Sequence, residues 1–218
     1  MKEEIIILIG RTVKLRGLLT VPAGSRCLVI FSHGSGSSRL SPRNNFVAEM
    51  LNQKKFSTLL TDLLTEEEDL SYENRFDIDL LTNRLVEVTK AVRQFPEVKG
   101  FPIGYFGAST GAASALKAAA KQAAIRAVVS RGGRPDLAGE SLNLVTSPTL
   151  LIVGGNDEEV IELNRRACHL LHCEKKMKII KGATHLFEEP GKLEEVASLA
   201  CEWFIKHLPE KEPEAVTG

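Results

Sequence analysis

Gly107-Ala108-Ser109-Thr110-Gly111 constrains this chain more than any other stretch, because it joins an apolar run to an alanine-rich one. Ile103-Gly104-Tyr105-Phe106 reads as a short buried strand. Ala112 to Ala124, interrupted by Ser114, Leu116, Lys117, Lys121 and Gln122, reads as a helix. A serine turned sharply from strand into helix adopts a strained backbone, and small neighbours are needed for the two elements to pack while Oγ stays exposed. The segment therefore predicts a nucleophile elbow. The backbone N–H of Thr110, at the start of a helix and without an intrahelical acceptor, is placed to meet a developing oxyanion.

Such a pentapeptide is made of common residues, so its weight depends on the residues downstream of it in the chain. Ser147 to Asp157 is an apolar strand ending in a glycine turn and an acid, ahead of a helical pattern from Glu158 to Cys173. Lys176 to Ile180 is a further strand. Lys181-Gly182-Ala183-Thr184-His185 then forms a loop before a helix from about Lys192 to His207. Asp157 and His185 each fall at the carboxyl end of a strand, the edge at which open α/β sheets bind ligands. The chain order Ser109, Asp157, His185 places an acid and a base after the nucleophile. Asp62 and Asp136 also come just after strands and read as loop acids, and His33 competes with His185 as the base.

The remaining chain supplies the rest of a sheet. Glu4 to Ile9 and Thr12 to Val21 predict an antiparallel hairpin, with further strands at Arg26 to Ser32, Phe56 to Thr61 and Ile125 to Ser130. Pro42 to Lys54 and Asn74 to Phe95 carry apolar residues at helical spacing, the second with Ile78, Leu81, Leu85, Val88 and Val92 on one stripe stopped by Pro96. Alternating strands and helices predict a mostly parallel twisted sheet with helices on both faces. The expected organisation is one domain over residues 1–208, a disordered tail at 209–218, and no separate lid domain.

Phe31-Ser32-His33-Gly34-Ser35-Gly36, Thr61-Asp62-Leu63-Leu64, Gly107 to Gly111 and the Asp157 and His185 loops together resemble the α/β-hydrolase superfamily. Within it they resemble the small dienelactone-hydrolase-like members, over most of the chain. The resemblance implies a serine hydrolase acting on an ester-type bond (carboxylic ester, thioester or lactone) of a small acyl substrate, with a Ser109-Asp157-His185 triad and no cofactor. It also implies that the Ser35 N–H is the second oxyanion donor and that His33 shapes its loop. Dienelactone hydrolases carry a cysteine nucleophile, whereas this chain has Ser109, which favours serine-esterase chemistry. The alternative is a catalytically silent scaffold that binds a ligand or partner.

Composition removes other classes. Lysine plus arginine and aspartate plus glutamate number 28 each, so no bulk charge attracts nucleic acid or an anionic membrane. The apolar run Ile5 to Ile9 is too short for a signal-peptide core or a membrane span, and a soluble cytoplasmic protein is expected. Cys27, Cys168, Cys173 and Cys201 are too scattered for a disulfide scaffold. The Cys168 to Cys173 segment reads as an amphipathic helix, and no metal is expected. Arg39 and Arg43 come after the glycine loop, where they are candidates to meet an anionic substrate and read equally as solvated arginines.

Overall fold

The computed structural model describes residues 1–208; the tail expected at 209–218 lies outside them. Eight strands form one sheet in the order β1-β2-β4-β3-β5-β6-β7-β8. β1 (Lys2–Ile9) and β2 (Val13–Thr20) make the expected antiparallel hairpin, Lys2 opposite Thr20 and Ile9 opposite Val13, and β2 runs antiparallel to β4 (Ser57–Thr61). β3 (Leu28–Ser32), β4, β5 (Ile103–Ala108), β6 (Ile125–Arg131), β7 (Thr149–Gly154) and β8 (Lys175–Ile180) are parallel. Every residue of β3, β4, β5 and β7 is buried, as parallel strands covered on both faces require. The edge strand β8 instead carries exposed Lys175 and Lys176, which blunt pairing with another chain.

Alternate strand residues feed two apolar layers. Ile30, Tyr105, Val128 and Leu151 meet α3 (Ile78–Val92) and α4 (Thr110–Lys121). Val29, Phe31, Phe106, Val129 and Ile152 meet α1 (Pro42–Gln53) and α6 (Lys192–His207). The long helix expected over Asn74 to Phe95 is broken. Tyr72–Phe76 forms the short helix α2, and Asp77, at ψ 88°, leaves the helical region and accepts the Leu80 N–H at 2.9 Å as the cap of α3. The stripe from Ile78 to Val92 belongs to α3 alone. Among the described residues no helix is long and apolar enough to cross a membrane.

The strand order sets where a ligand can sit. From β3 the chain crosses through α1 to β4 on one side, and from β4 through α3 to β5 on the other, so the connections diverge above β3 and β5. At such a switch point the loops part and leave a crevice at the carboxyl ends of the strands. Ser32 pairs with Gly107 there, which brings the 33–41 loop beside the elbow. Between β6 and β7 the chain forms the 3-10 turns of Pro135–Leu144, packed on α4 and on α5 (Glu158–Leu170).

Candidate active site

Ser109 sits between β5 and α4 at φ 51°, ψ −125°. Its N–H donates to the Arg131 carbonyl at 3.1 Å, and its own carbonyl accepts the N–H groups of Ala112 and Arg134, both at 3.0 Å. Three backbone bonds thus hold a conformation that costs a residue with a side chain about 1–3 kcal/mol. The flanking glycines are required by contact. A Cβ on Gly107 would lie 2.5 Å from Ala112 Cα, and one on Gly111 would lie 2.2 Å from the Ser32 carbonyl oxygen. A Cβ on Gly34 would fall 3.0 Å from Ser109 Cβ, so the 33–41 loop lies directly against the serine.

The loops after β7 and β8 approach each other backbone to backbone. Asn156 N–H donates to the Ala183 carbonyl at 2.9 Å and Gly155 N–H to the Ile180 carbonyl at 2.8 Å; a Cβ on Gly154 would collide with the Thr184 carbonyl oxygen at 2.5 Å. This clamp places Asp157, the residue that opens α5, against His185, whose Nδ1 is 2.7 Å from Asp157 Oδ2. The carboxylate assigns the proton to Nδ1, which leaves Nε2 as the basic nitrogen. The side chains are 18% and 37% exposed, so the acid is sheltered while the imidazole faces the crevice. Gly132 comes directly after the residue that holds the Ser109 N–H, and a Cβ on it would touch His185 Cε1 at 3.6 Å. The structure therefore brings Asp157 and His185 together beside the elbow. Ser109 Oγ has no hydrogen bond to His185 or to any other described residue.

His33 is committed elsewhere. Its Nδ1 bonds the Gly34 carbonyl at 2.9 Å and its Nε2 accepts the Leu63 N–H at 3.2 Å, which fixes the neutral tautomer. Burial holds its pKa below the ordinary histidine value. His33 ties the glycine loop to the end of β4 and has no nitrogen left to act as a base.

Ser35, the residue expected to supply the second oxyanion donor, has its amide engaged. Ser35 N–H donates to Thr110 Oγ1 at 2.8 Å, a bond between residues 75 apart. The amide expected as the second oxyanion donor thus meets a side chain of α4 in this structure. Thr110 N–H, at the first position of that helix, has no intrahelical acceptor.

Arg39, a candidate to meet an anionic substrate, is held in ion pairs. Its guanidinium pairs with Asp62 Oδ2 and Glu4 Oε1, each at 2.7 Å, its own N–H binds Asp62 Oδ1, and its side chain is 13% exposed. It ties the loop to Glu4 of β1 and to Asp62 at the end of β4. Asp62 is used up in the same contact, as Asp136 is in a two-pronged pair with Arg134, so neither acid reaches a histidine. Arg43 pairs with Glu188 at 2.6 Å, three residues beyond His185. Sequence reasoning passed over Arg131, buried at the end of β6.

The four cysteines form no disulfide, and no group of three or more possible metal ligands occurs among the described residues.

No family model matches the chain. It is 51% identical to a dienelactone hydrolase from Anabaena variabilis ATCC 29413, with a TM-score of 0.92 over 95% of this chain and 98% of that one. Est1E from Butyrivibrio proteoclasticus has the same fold, with a TM-score of 0.79 at 19% identity over 93% of this chain and 98% of that one. Over 209 residues the chain is 54% identical to two Mycobacterium tuberculosis proteins, from strains CDC 1551 / Oshkosh and ATCC 25618 / H37Rv, provisionally named phosphoribosyl transferases. The match covers 95% of this chain and 47% of theirs, so the chain spans about half the length of the curated relatives it matches.

Proposed function

We propose, for a chain that belongs to the dienelactone-hydrolase family of α/β hydrolases, that Ser109 is the nucleophile of a serine hydrolase cleaving small carboxylic esters, thioesters or lactones. The observation that carries the reading is the 2.7 Å bond from His185 Nδ1 to Asp157 Oδ2 on two loops clamped beside Ser109.

In this mechanism Ser109 Oγ attacks the acyl carbon while His185 Nε2 takes its proton, and Asp157 holds the imidazole tautomer and stabilises its cation. The oxyanion meets the Thr110 N–H and the Ser35 N–H, the latter exchanging its bond to Thr110 Oγ1 for the stronger one to a charged oxygen. His185 then protonates the leaving group and activates water to release the acid. Closing Oγ onto Nε2 takes a side-chain adjustment of Ser109 or His185, since catalytic hydrogen bonds tighten in the substrate complex. No cofactor enters these steps, and the partner is a small acyl compound reaching an unlidded crevice.

The unbonded Ser109 Oγ and the occupied Ser35 amide also favour a second reading, a silent scaffold that binds without turning over. The phosphoribosyl transferase name belongs to relatives about twice as long as the matched segment. The hydrolase reading concerns the part they share with this chain.

Turnover decides between the two readings. Ser109→Ala is expected to cut hydrolysis of a p-nitrophenyl acylate by about 10³-fold or more with an unchanged circular dichroism spectrum. Equal turnover by the wild type and this variant would contradict the assignment.

A further inference from the structure

Positive charge is gathered on the α1 side of β6, opposite the α4 side, and little on the molecule balances it. Arg131 ends β6 and is 5% exposed. Its guanidinium reaches the first turn of α1, where Nη2 donates to Asn44 Oδ1 at 3.3 Å, and the Phe187 ring centre lies 6.0 Å from its central carbon. Nε is buried without a hydrogen-bond partner, and among the described residues no carboxylate pairs with this side chain. Burial, and after it the nearby Arg43 cation, push Arg131 down to about 10, so it remains charged at neutral pH. Arg43 Nε is likewise buried and unpartnered; among the described residues the only ion pair of Arg43 is the one to Glu188.

Burying a cation without a counterion is strongly unfavourable, and a second cation beside it adds repulsion. The helix adds to both. α1 runs for 12 residues and has no acid in its first turn; Pro42 has no N–H, Ser41 Oγ caps the Asn44 N–H and the Ser41 carbonyl accepts the Asn45 N–H. Its amino end carries a partial positive charge of about one half. Set against the single carboxylate of Glu188, the uncompensated charge is about one and a half units. A carboxylate supplies one negative charge, whereas a phosphate monoester supplies about 1.5 to 2 at neutral pH.

We propose that Arg131, Arg43 and the first turn of α1 form a phosphate-binding site, for the free ion or for a phosphate monoester carried by the substrate. Arginine forks suit such a ligand, with Nε and Nη donors in one plane, and the two buried Nε atoms are donors left without an acceptor. Phe187 and Glu188, which face the two arginines, lie two and three residues beyond His185, so a bound phosphate touches the loop that carries the base. The substrate form of the proposal rests on the hydrolase reading; the free-ion form does not.

Calorimetric titration of inorganic phosphate into the whole chain, at matched ionic strength against chloride, tests the site. Saturable binding is expected in the wild type and in Ser109→Ala, with at least a tenfold weaker Kd in Arg43→Gln and in Arg131→Met. Should loss of the buried arginine prevent folding, Arg43→Gln, whose side chain is 31% exposed, still gives the answer. No saturable binding in the wild type, or wild-type affinity in the folded variants, would overturn the proposal. The source of the phosphate is read from kcat/KM on paired esters with and without a phosphate on the leaving group. A loss of tenfold or more in Arg43→Gln confined to the phosphorylated ester identifies the substrate, and binding with no such selectivity identifies the free ion. If the hydrolase reading alone fails, Ser109→Ala keeps its ester turnover while phosphate binding persists.

Discussion

At the scale of single residues, the elbow is held by atoms that leave no room for a methyl group. Gly111→Ala would press a Cβ to 2.2 Å from the Ser32 carbonyl oxygen, backbone against backbone, and is expected to destabilise the fold by about 4 kcal/mol or more in urea denaturation. Gly10→Ala is the contrasting case: φ is 61° with nothing within 4 Å of the added carbon, and a loss of only about 1 kcal/mol is expected. Both elbow glycines could be read in the sequence because the constraint is local. Asp157 and His185 could be read as strand-end residues, and the structure joins them. The fates of Ser35 and Arg39 could not. Their partners, Thr110 for the first and Asp62 and Glu4 for the second, lie 23 to 75 residues away, and nothing in the local pattern marks a hydrogen bond at that range. Arg131 was hidden for a similar reason, since an arginine ahead of two glycines looks like the start of an exposed loop, whereas β6 extends one residue further and buries it.

At the scale of elements, the apolar runs gave strands and helices whose ends shift by a few residues, and one helix divides. The apolar spacing from Ile78 to Val92 is regular, and extending it back to Asn74 ignored Asp77, a capping residue three positions before Leu80. Asp77→Ala removes the 2.9 Å bond to the Leu80 N–H and is expected to cost about 1 kcal/mol, seen as a fall in Tm of about 2–4 °C. His33 acts at the same scale, since one neutral ring joins the glycine loop to the end of β4. Its pKa is held below 6.5 by burial, so between 6.5 and that lower value the unfolded chain takes up a proton that the native chain does not. Stability is therefore greatest above about pH 6.5 and falls as pH drops, by at most about 1.4 kcal/mol per pH unit from this group. His207, also lowered by burial, acts in the same direction. Urea midpoints measured from pH 7.5 to 5 are expected to show the decline, and His33→Asn a shallower one.

At the scale of the whole molecule, alternation of strands and helices announced a parallel sheet, but it left the strand order open. Which neighbour β3 takes on each side depends on crossovers that pack helices on opposite faces, and that choice makes the crevice. Once β3 and β5 are adjacent, the Gly34 loop meets Ser109, and the successive strands β6, β7 and β8 bring Gly132, Asp157 and His185 toward it. The central claim is that this arrangement activates Ser109, and labelling by a fluorophosphonate probe tests it most directly. One adduct per chain is expected, located on Ser109 by peptide mass spectrometry and forming at least 100-fold more slowly in His185→Ala. A folded wild-type protein that takes up no label on Ser109 would contradict it.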